Sequence, residues 1–172
     1  MTGIKTAIRK LVRKMQRKYY TYEVKKSAAL CGNNIIANYK TIVTNKTYLG
    51  NNVNFNGMVI QGDGIVKIGN NFHSGTECLM ITSDHDYDFG DAVPYGETYI
   101  DKDILIEDNV WLGSRVIILG GVSIGEGAII QAGSTVVTDV PPYAICGGHP
   151  ARVFKYRDIK HYVALKNAGK FH

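Results

Sequence analysis

Three cysteines, four prolines and one tryptophan are all that the 172 residues hold of those types. Cys31, Cys78 and Cys146 are odd in number, far apart and without a CxxC pair, so the simplest reading is reduced thiols in a cytoplasmic protein. No apolar run approaches the length that spans a membrane. The N-terminus carries charges without the apolar stretch of a secretory signal. The basic excess is concentrated in one segment. Residues 1–26 hold Lys5, Arg9, Lys10, Arg13, Lys14, Arg17, Lys18, Lys25 and Lys26 against Glu23. The net charge of +5 therefore describes that segment, and the remainder is slightly acidic.

Within the basic segment, Ile4, Ile8, Leu11, Val12, Met15 and Tyr19 follow helical spacing, with Lys and Arg on the other face. The preferred reading is a helix laid across the end of the main body, capping its core. The alternative is a basic helix, residues 4–22, that touches anionic lipid or an acidic partner. Nothing in the chain points to nucleic acid.

Glycine is abundant, with 19 residues, most of them in one regular region. There Ile106, Leu112, Ile118, Ile124, Ile130 and Val136 recur every sixth residue. Such a period signals a parallel β-helix, in which three short strands make the sides of a triangular coil of about eighteen residues. The aliphatics point into the prism. The positions four later, Val110, Val116, Val122, Ala128, Ser134 and Val140, face inward near a corner and must be small. Asn109, Gly121, Gly127 and Gly133 fall at corners, where left-handed backbone is needed. Earlier sets run Leu30, Ile36, Ile42, then Leu49, Phe55, Gln61 after a one-residue slip, then Ile68, Ser74, Met80. The polar stretch "TSDHDYDFGDAVPYGETYIDKD", residues 82–103, breaks the count and reads as a loop. "PPY" at 141–143 ends the repeat. The expected organisation is a basic helix in 1–29, an all-β domain in 30–152 with an excursion at 82–103, and a basic, aromatic tail with weak helical character in 153–172.

The stretches "IEDNVWLGSRVIILGGVSIGEGAIIQAGSTVVTDVPP" and "GGHPARV" resemble the hexapeptide-repeat acyltransferases. The nearest branch is the maltose, galactoside and nodulation-type sugar O-acetyltransferases with the related surface-polysaccharide acetyltransferases. The resemblance implies a left-handed parallel β-helix, a homotrimer with active sites between subunits, and acetyl transfer from acetyl-CoA with no metal required. Left-handedness comes from the resemblance alone, since parallel crossovers generally take the other hand. The N-terminal segment differs from that of the maltose and galactoside enzymes, so the acceptor is not carried over with the fold.

Acyl transfer to a hydroxyl needs a base, an oxyanion donor and alignment of both substrates. Of five histidines, His85 in "ITSDHDYD" stands where the family has its catalytic His, at the start of the excursion. His73, His149, His161 and His172 read as corner, turn or tail residues. Asp86 is a candidate to orient His85, as is a backbone carbonyl. For Trp111 the resemblance implies a wall of the acyl or sugar pocket, for the Ser114 N–H an oxyanion donor, and for Ala132 backbone contact with the pantetheine arm. It implies phosphate contacts for Arg152 and Lys155, and acceptor contacts for Asn54 and Asn56. The expected activity is an acetyl-CoA-dependent O-acetyltransferase of a saccharide hydroxyl. N-acetylation of an amino sugar and a non-catalytic β-helix scaffold are the alternatives. A zinc enzyme on this fold needs three clustered His, which the spacing of His73 and His85 does not supply.

Overall fold

The computed structural model describes residues 2–172, with side chains from Lys5 onward, so Ile4 of the apolar stripe lies outside the described side chains. Short parallel strands stack into three faces. The first face holds Leu30–Cys31, Thr47–Leu49, Val66–Ile68, Ile104–Ile106 and Ser123–Ile124. The second holds Ile36–Ala37, Asn54–Phe55, His73–Ser74, Trp111–Leu112, Ile129–Ile130 and Ala144–Gly147. The third holds Met58–Gln61, Cys78–Ile81, Ile117–Leu119 and Thr135–Val136. Corner side chains pair from coil to coil: Asn38 with Asn56, 18 residues on, Asn51 with Asn70, 19 on, and Asn70 with Asp108, 38 on. The last interval contains the excursion.

The core follows the six-residue reading. All six aliphatics from Ile106 to Val136 are buried, as are the six small positions from Val110 to Val140. Asn109, Gly121, Gly127 and Gly133 have positive φ. Arg115 joins them with φ 59, a corner that its residue type does not announce. The three cysteines are unpaired, Cys78 and Cys146 within the core.

Three expectations change. In the first coil the inward residues are Cys31, Ala37 and Val43, one place later than expected, and Leu30 and Ile42 are exposed. Both sets are spaced by six, and the smaller one leaves room for Val24 of the N-terminal helix in the foot of the prism. The expected slip before Leu49 is therefore absent. The irregularity comes after Phe55, where Ile60, not Gln61, points inward.

The N-terminal helix, α1 (Thr2–Ser27), caps the prism only with its last turns. Val24 is buried, Tyr20 and Ala28 pack against the core, and Thr21 Oγ1 accepts from the Ala37 N–H at 2.9 Å. The stripe Ile8, Leu11, Val12, Met15 and Tyr19 stays exposed, because Thr21 and Val24 sit on another side of the helix.

Beyond the coils the chain is more ordered than expected. Arg152–Tyr156 pairs antiparallel with Ala144–Gly147, and α2 (Ile159–Asn167) follows, its N-cap Asp158 accepting from the His161 N–H.

Strict alternation on the first face gives a direct test. Val66 and Ile68 point inward and Lys67 outward. Ile68→Ala is expected to cost about 2–5 kcal/mol in urea unfolding, and Lys67→Ala less than about 0.5 kcal/mol. Equal losses would contradict the assigned faces.

Candidate active site

The excursion leaves and returns at one point. Thr82 N–H bonds Gln61 O in the coil below, and Lys102 N–H bonds Thr82 O at 2.7 Å. Its base is an antiparallel hairpin of Ser83–His85 with Tyr99–Asp101, so the stretch is not irregular throughout. This pairing sets His85 opposite Tyr99. The half-buried imidazole stacks on Tyr95, with centroids 3.7 Å apart, and lies 4.2 Å from the Tyr99 ring. His85 Nδ1 stands 3.3 Å from the Gly96 carbonyl. A carbonyl only accepts, so this contact selects the tautomer protonated at Nδ1 and leaves Nε2 with its lone pair.

Neither flanking acid orients the ring. Asp86, the candidate for that task, accepts the Phe89 N–H at 2.9 Å and caps the next turn. Asp84 pairs with Lys102 at 3.1 Å. A short-range Asp oxygen is satisfied most readily by the backbone just after it, which is why Asp86 turns away from His85.

Ser114 and Ala132 stand one above the other at the corner between the second and third faces. Thr76 N–H donates to Ser114 Oγ at 3.1 Å from the coil below, and Ser114 O accepts the Gly133 N–H at 2.8 Å from the coil above. The N–H groups of Ser114 and Ala132 themselves meet no acceptor among the described residues. Glycine makes this spacing feasible: a Cβ on Gly75 would collide with the Ser114 nitrogen, and one on Gly113 with the Ala132 nitrogen. Two free N–H groups, about one strand spacing of 4.8 Å apart, form an edge that an extended amide chain can pair with.

Arg152 and Lys155 lie above, on the exposed antiparallel strand. Arg152 sits opposite Gly147, which itself lies over Gln131, so it crowns the edge that carries Ala132. Lys155 sits opposite Ile145, toward the middle of the second face.

The exposed Trp111 opens the second face, in register with His73 below and Ile129 above. Asn54 continues that column below His73. Asn56, by contrast, is consumed by the corner ladder: it accepts from Asn38 at 2.9 Å and donates to Ser74 O at 2.8 Å. No hydrogen bond or ring contact joins His85 to Trp111, Ser114 or Ala132 within one chain.

Several residues near Trp111 escaped the sequence reading. The C-terminal segment folds back over the second face, and a cleft of about 460 Å³ opens among Asn71, His73, Trp111, Tyr162, Leu165 and Phe171. His73 Nε2 is buried and meets no hydrogen-bond partner. Burial draws its pKa below the ordinary value, against an opposing effect of the His172 backbone. Tyr162 OH bonds Glu126 and Asn109, each at 2.8 Å. Burial and that hydrogen bond to Glu126 push the phenol pKa up. Burial also acts to raise Glu126, but bonds from Lys166, Tyr162 and Asn109 outweigh it and hold the carboxyl below its usual value. The register of Trp111 with His73 was the available signal for His73. The tail residues lie outside the repeat and carried none. Among the described residues no group of three or more His, Cys, Asp or Glu is placed to hold a metal ion.

Residues 103–138 match the family described as bacterial transferase hexapeptide (six repeats). The galactoside O-acetyltransferase of Escherichia coli K12 is 38% identical over 120 residues, covering 67% of this chain and 57% of that protein. A hexapeptide-repeat acetyltransferase of Vibrio cholerae, solved with acetyl-coenzyme A, superposes with a TM-score of 0.65 at 27% identity, covering 77% of this chain and 73% of that one. A galactoside acetyltransferase solved with coenzyme A gives a TM-score of 0.64 at 27% identity, covering 87% and 82%. The chain spans about a third to somewhat over half the length of the curated relatives it matches. The six-residue core and the three-faced coil agree with these likenesses, and residues 103–138 carry the hexapeptide repeat of the bacterial transferases.

Proposed function

We propose that the chain is an acetyl-CoA-dependent O-acetyltransferase acting on a saccharide hydroxyl, with His85 as general base. The observation that carries this reading is the excursion. It breaks an otherwise regular prism to present one imidazole, packed between two tyrosines and fixed by a backbone carbonyl with Nε2 unengaged. In this reading Nε2 takes the proton of the acceptor hydroxyl as its oxygen attacks the thioester carbon. The tetrahedral oxyanion accepts the free N–H of Ser114. Collapse breaks the carbon–sulfur bond, and the departing thiolate receives the proton from the imidazolium. Ala132 pairs with the amides of the pantetheine arm, and Arg152, with Lys155 nearby, meets the phosphates. Trp111 and Asn54 wall the acceptor side. Asn56 keeps its place in the corner ladder and contributes only through it.

The reading includes a homotrimer. His85 follows the end of the third face, whereas Ser114 precedes its start. The strand between them, Cys78–Ile81, has four residues and is therefore about 13 Å long. A proton transfer needs hydrogen-bond reach, so a neighbouring copy supplying its excursion to this edge completes the site. The acetyl-CoA complex of the Vibrio cholerae relative and the galactoside specificity in the name of the Escherichia coli one support donor and acceptor class.

His85→Ala is expected to lower kcat about 10²–10⁴-fold while sedimenting, like the parent, at three times the 19.0 kDa chain mass. Turnover is read as released thiol over a panel of sugars, nucleotide sugars and amino sugars. Near-normal turnover in His85→Ala, with loss in His73→Ala, would transfer the base to the Trp111 cleft. Turnover confined to amino sugars would change the reading to N-acetylation. Arg152→Ala is expected to raise KM for acetyl-CoA about tenfold with little change in kcat, because a phosphate contact lies far from the reacting carbonyl. An unchanged KM removes Arg152 from the donor site.

A further inference from the structure

Helix α1 has two sides of matching length and different character. Lys10, Arg13, Lys14 and Arg17 continue, at helical spacing, the row that ends in Thr21 and Val24, the residues that dock on the prism. With Asn38, Tyr39 and Asn56 the four cations border a cleft of about 460 Å³ against the foot of the coil. Offset by two residues runs the other row: Ile8, Leu11, Val12, Met15, Tyr19 and Tyr22. All six are 45–62% exposed. The offset puts them on the side of the helix turned away from the prism. They extend over about 21 Å of helix. Lys5 and Arg9 border the apolar row on one side and Lys18 on the other.

From this we propose that α1 lies in the plane of an anionic phospholipid surface and seats the protein on it. The apolar row would enter the boundary between headgroups and acyl chains, with the bordering cations at the phosphates and the prism held on the far side of the helix. Tyr19 and Tyr22, each with an apolar ring and a polar tip, suit that depth. The helix lies on the surface and does not cross it: no helix among the described residues is long and apolar enough to span a membrane.

Two observations favour lipid over a second copy of the chain as the occupant. Among the described residues none of the α1 cations makes an ion pair, so the charge of the segment is left for an external anion. A second copy would bring an equally cationic helix to the same row, and like charges at that range repel. Residues 1–26 carry nine Lys and Arg against one Glu, a balance that an anionic surface complements along its whole length.

Flotation of the full chain with vesicles tests this independently of the catalytic assignment. Equimolar phosphatidylcholine and phosphatidylglycerol vesicles are expected to bind at least about tenfold more protein than phosphatidylcholine alone. Binding should fall steeply between about 50 and about 500 mM salt. The double variant Leu11→Ser, Met15→Ser is expected to lose binding about tenfold or more, with circular dichroism and acetyl-CoA turnover at parent levels. Arg9→Gln with Lys18→Gln should retain the apolar row but bind anionic vesicles more weakly and with a shallower salt dependence than the parent. Equal binding to both vesicle types, or full binding by the serine variant, overturns the proposal. So does a serine variant that sediments as a smaller species without lipid, because the row then lies between copies.

Discussion

Each coil gives its backbone hydrogen bonds to the coils above and below, and the rest of the molecule is arranged around that dependence. A helix satisfies its own backbone, and a strand in a flat sheet tolerates a neighbour of different length. A stacked coil has neither freedom, since a residue gained on one face shifts every contact above it. The pairing tolerates only small changes: matched residues of adjacent coils lie 16 to 20 apart, and 38 apart where the chain leaves the prism. That longer departure is tolerated because Thr82 and Lys102 meet backbone to backbone at its neck. The prism above and below resumes as though the intervening residues were absent. Chemistry can therefore be built on the excursion without disturbing the core.

The same dependence leaves both ends of the stack with unpaired strand edges, which invite association with other chains. The two ends are handled differently. At the top, the chain reverses, and Arg152–Tyr156 adds an antiparallel strand to the second face. This reversal also carries Arg152 over the edge of Ser114 and Ala132. At the foot, Val24 enters the prism and Thr21 takes the Ala37 N–H. Only a short part of α1 is consumed there. Its remaining length, with one cationic and one apolar row, is free for another surface.

What could be read in the sequence follows from what the repeat constrains. From Ile106 to Val136 the inward aliphatic recurs six times without a slip and the small position four later recurs with it, so period and phase emerge together even where a neighbour such as Leu105, Ile117 or Ile129 is also apolar. In the first coil Leu30 and Cys31, Ile36 and Ala37, and Ile42 and Val43 are adjacent apolar pairs. Spacing then reveals the coil but not which member points inward. The hairpin within the excursion was hidden because Tyr99–Asp101 pairs with Ser83–His85 across thirteen residues of irregular sequence on no shared period. The position of His85 was legible, as the one histidine beside the break in the count, while its fixing by the Gly96 carbonyl depends on loop geometry that no residue type encodes. The free N–H groups of Ser114 and Ala132 belong to the same class. They are backbone groups, and only the glycines beneath them, Gly75 and Gly113, hint at a close approach.

The C-terminal segment shows how far packing and placement can diverge. Helix α2 buries none of its residues, so hydrophobic burial contributes little to where it lies. Its position comes instead from a small polar cluster: Tyr162 to Asn109 and Glu126, Lys166 to Glu126, and Arg157 to the Gly127 carbonyl. Asn109 is itself a corner residue at positive φ, at the top of the ladder Asn52, Asn71, Asn109. The ladder therefore ends in an Asn109 amide that also reaches Glu126 of the next coil, and the tail docks on both. Most of these contacts are half-buried, which is why the Tyr162 phenol is held neutral while it donates to Glu126. The wall that α2 and the residues after it raise beside Trp111 thus rests on polar contacts made at the corner of the prism. Below that wall His73 Nε2 is buried without a hydrogen-bond partner, so the desolvation of that nitrogen is a cost that the packing of the tail leaves uncompensated.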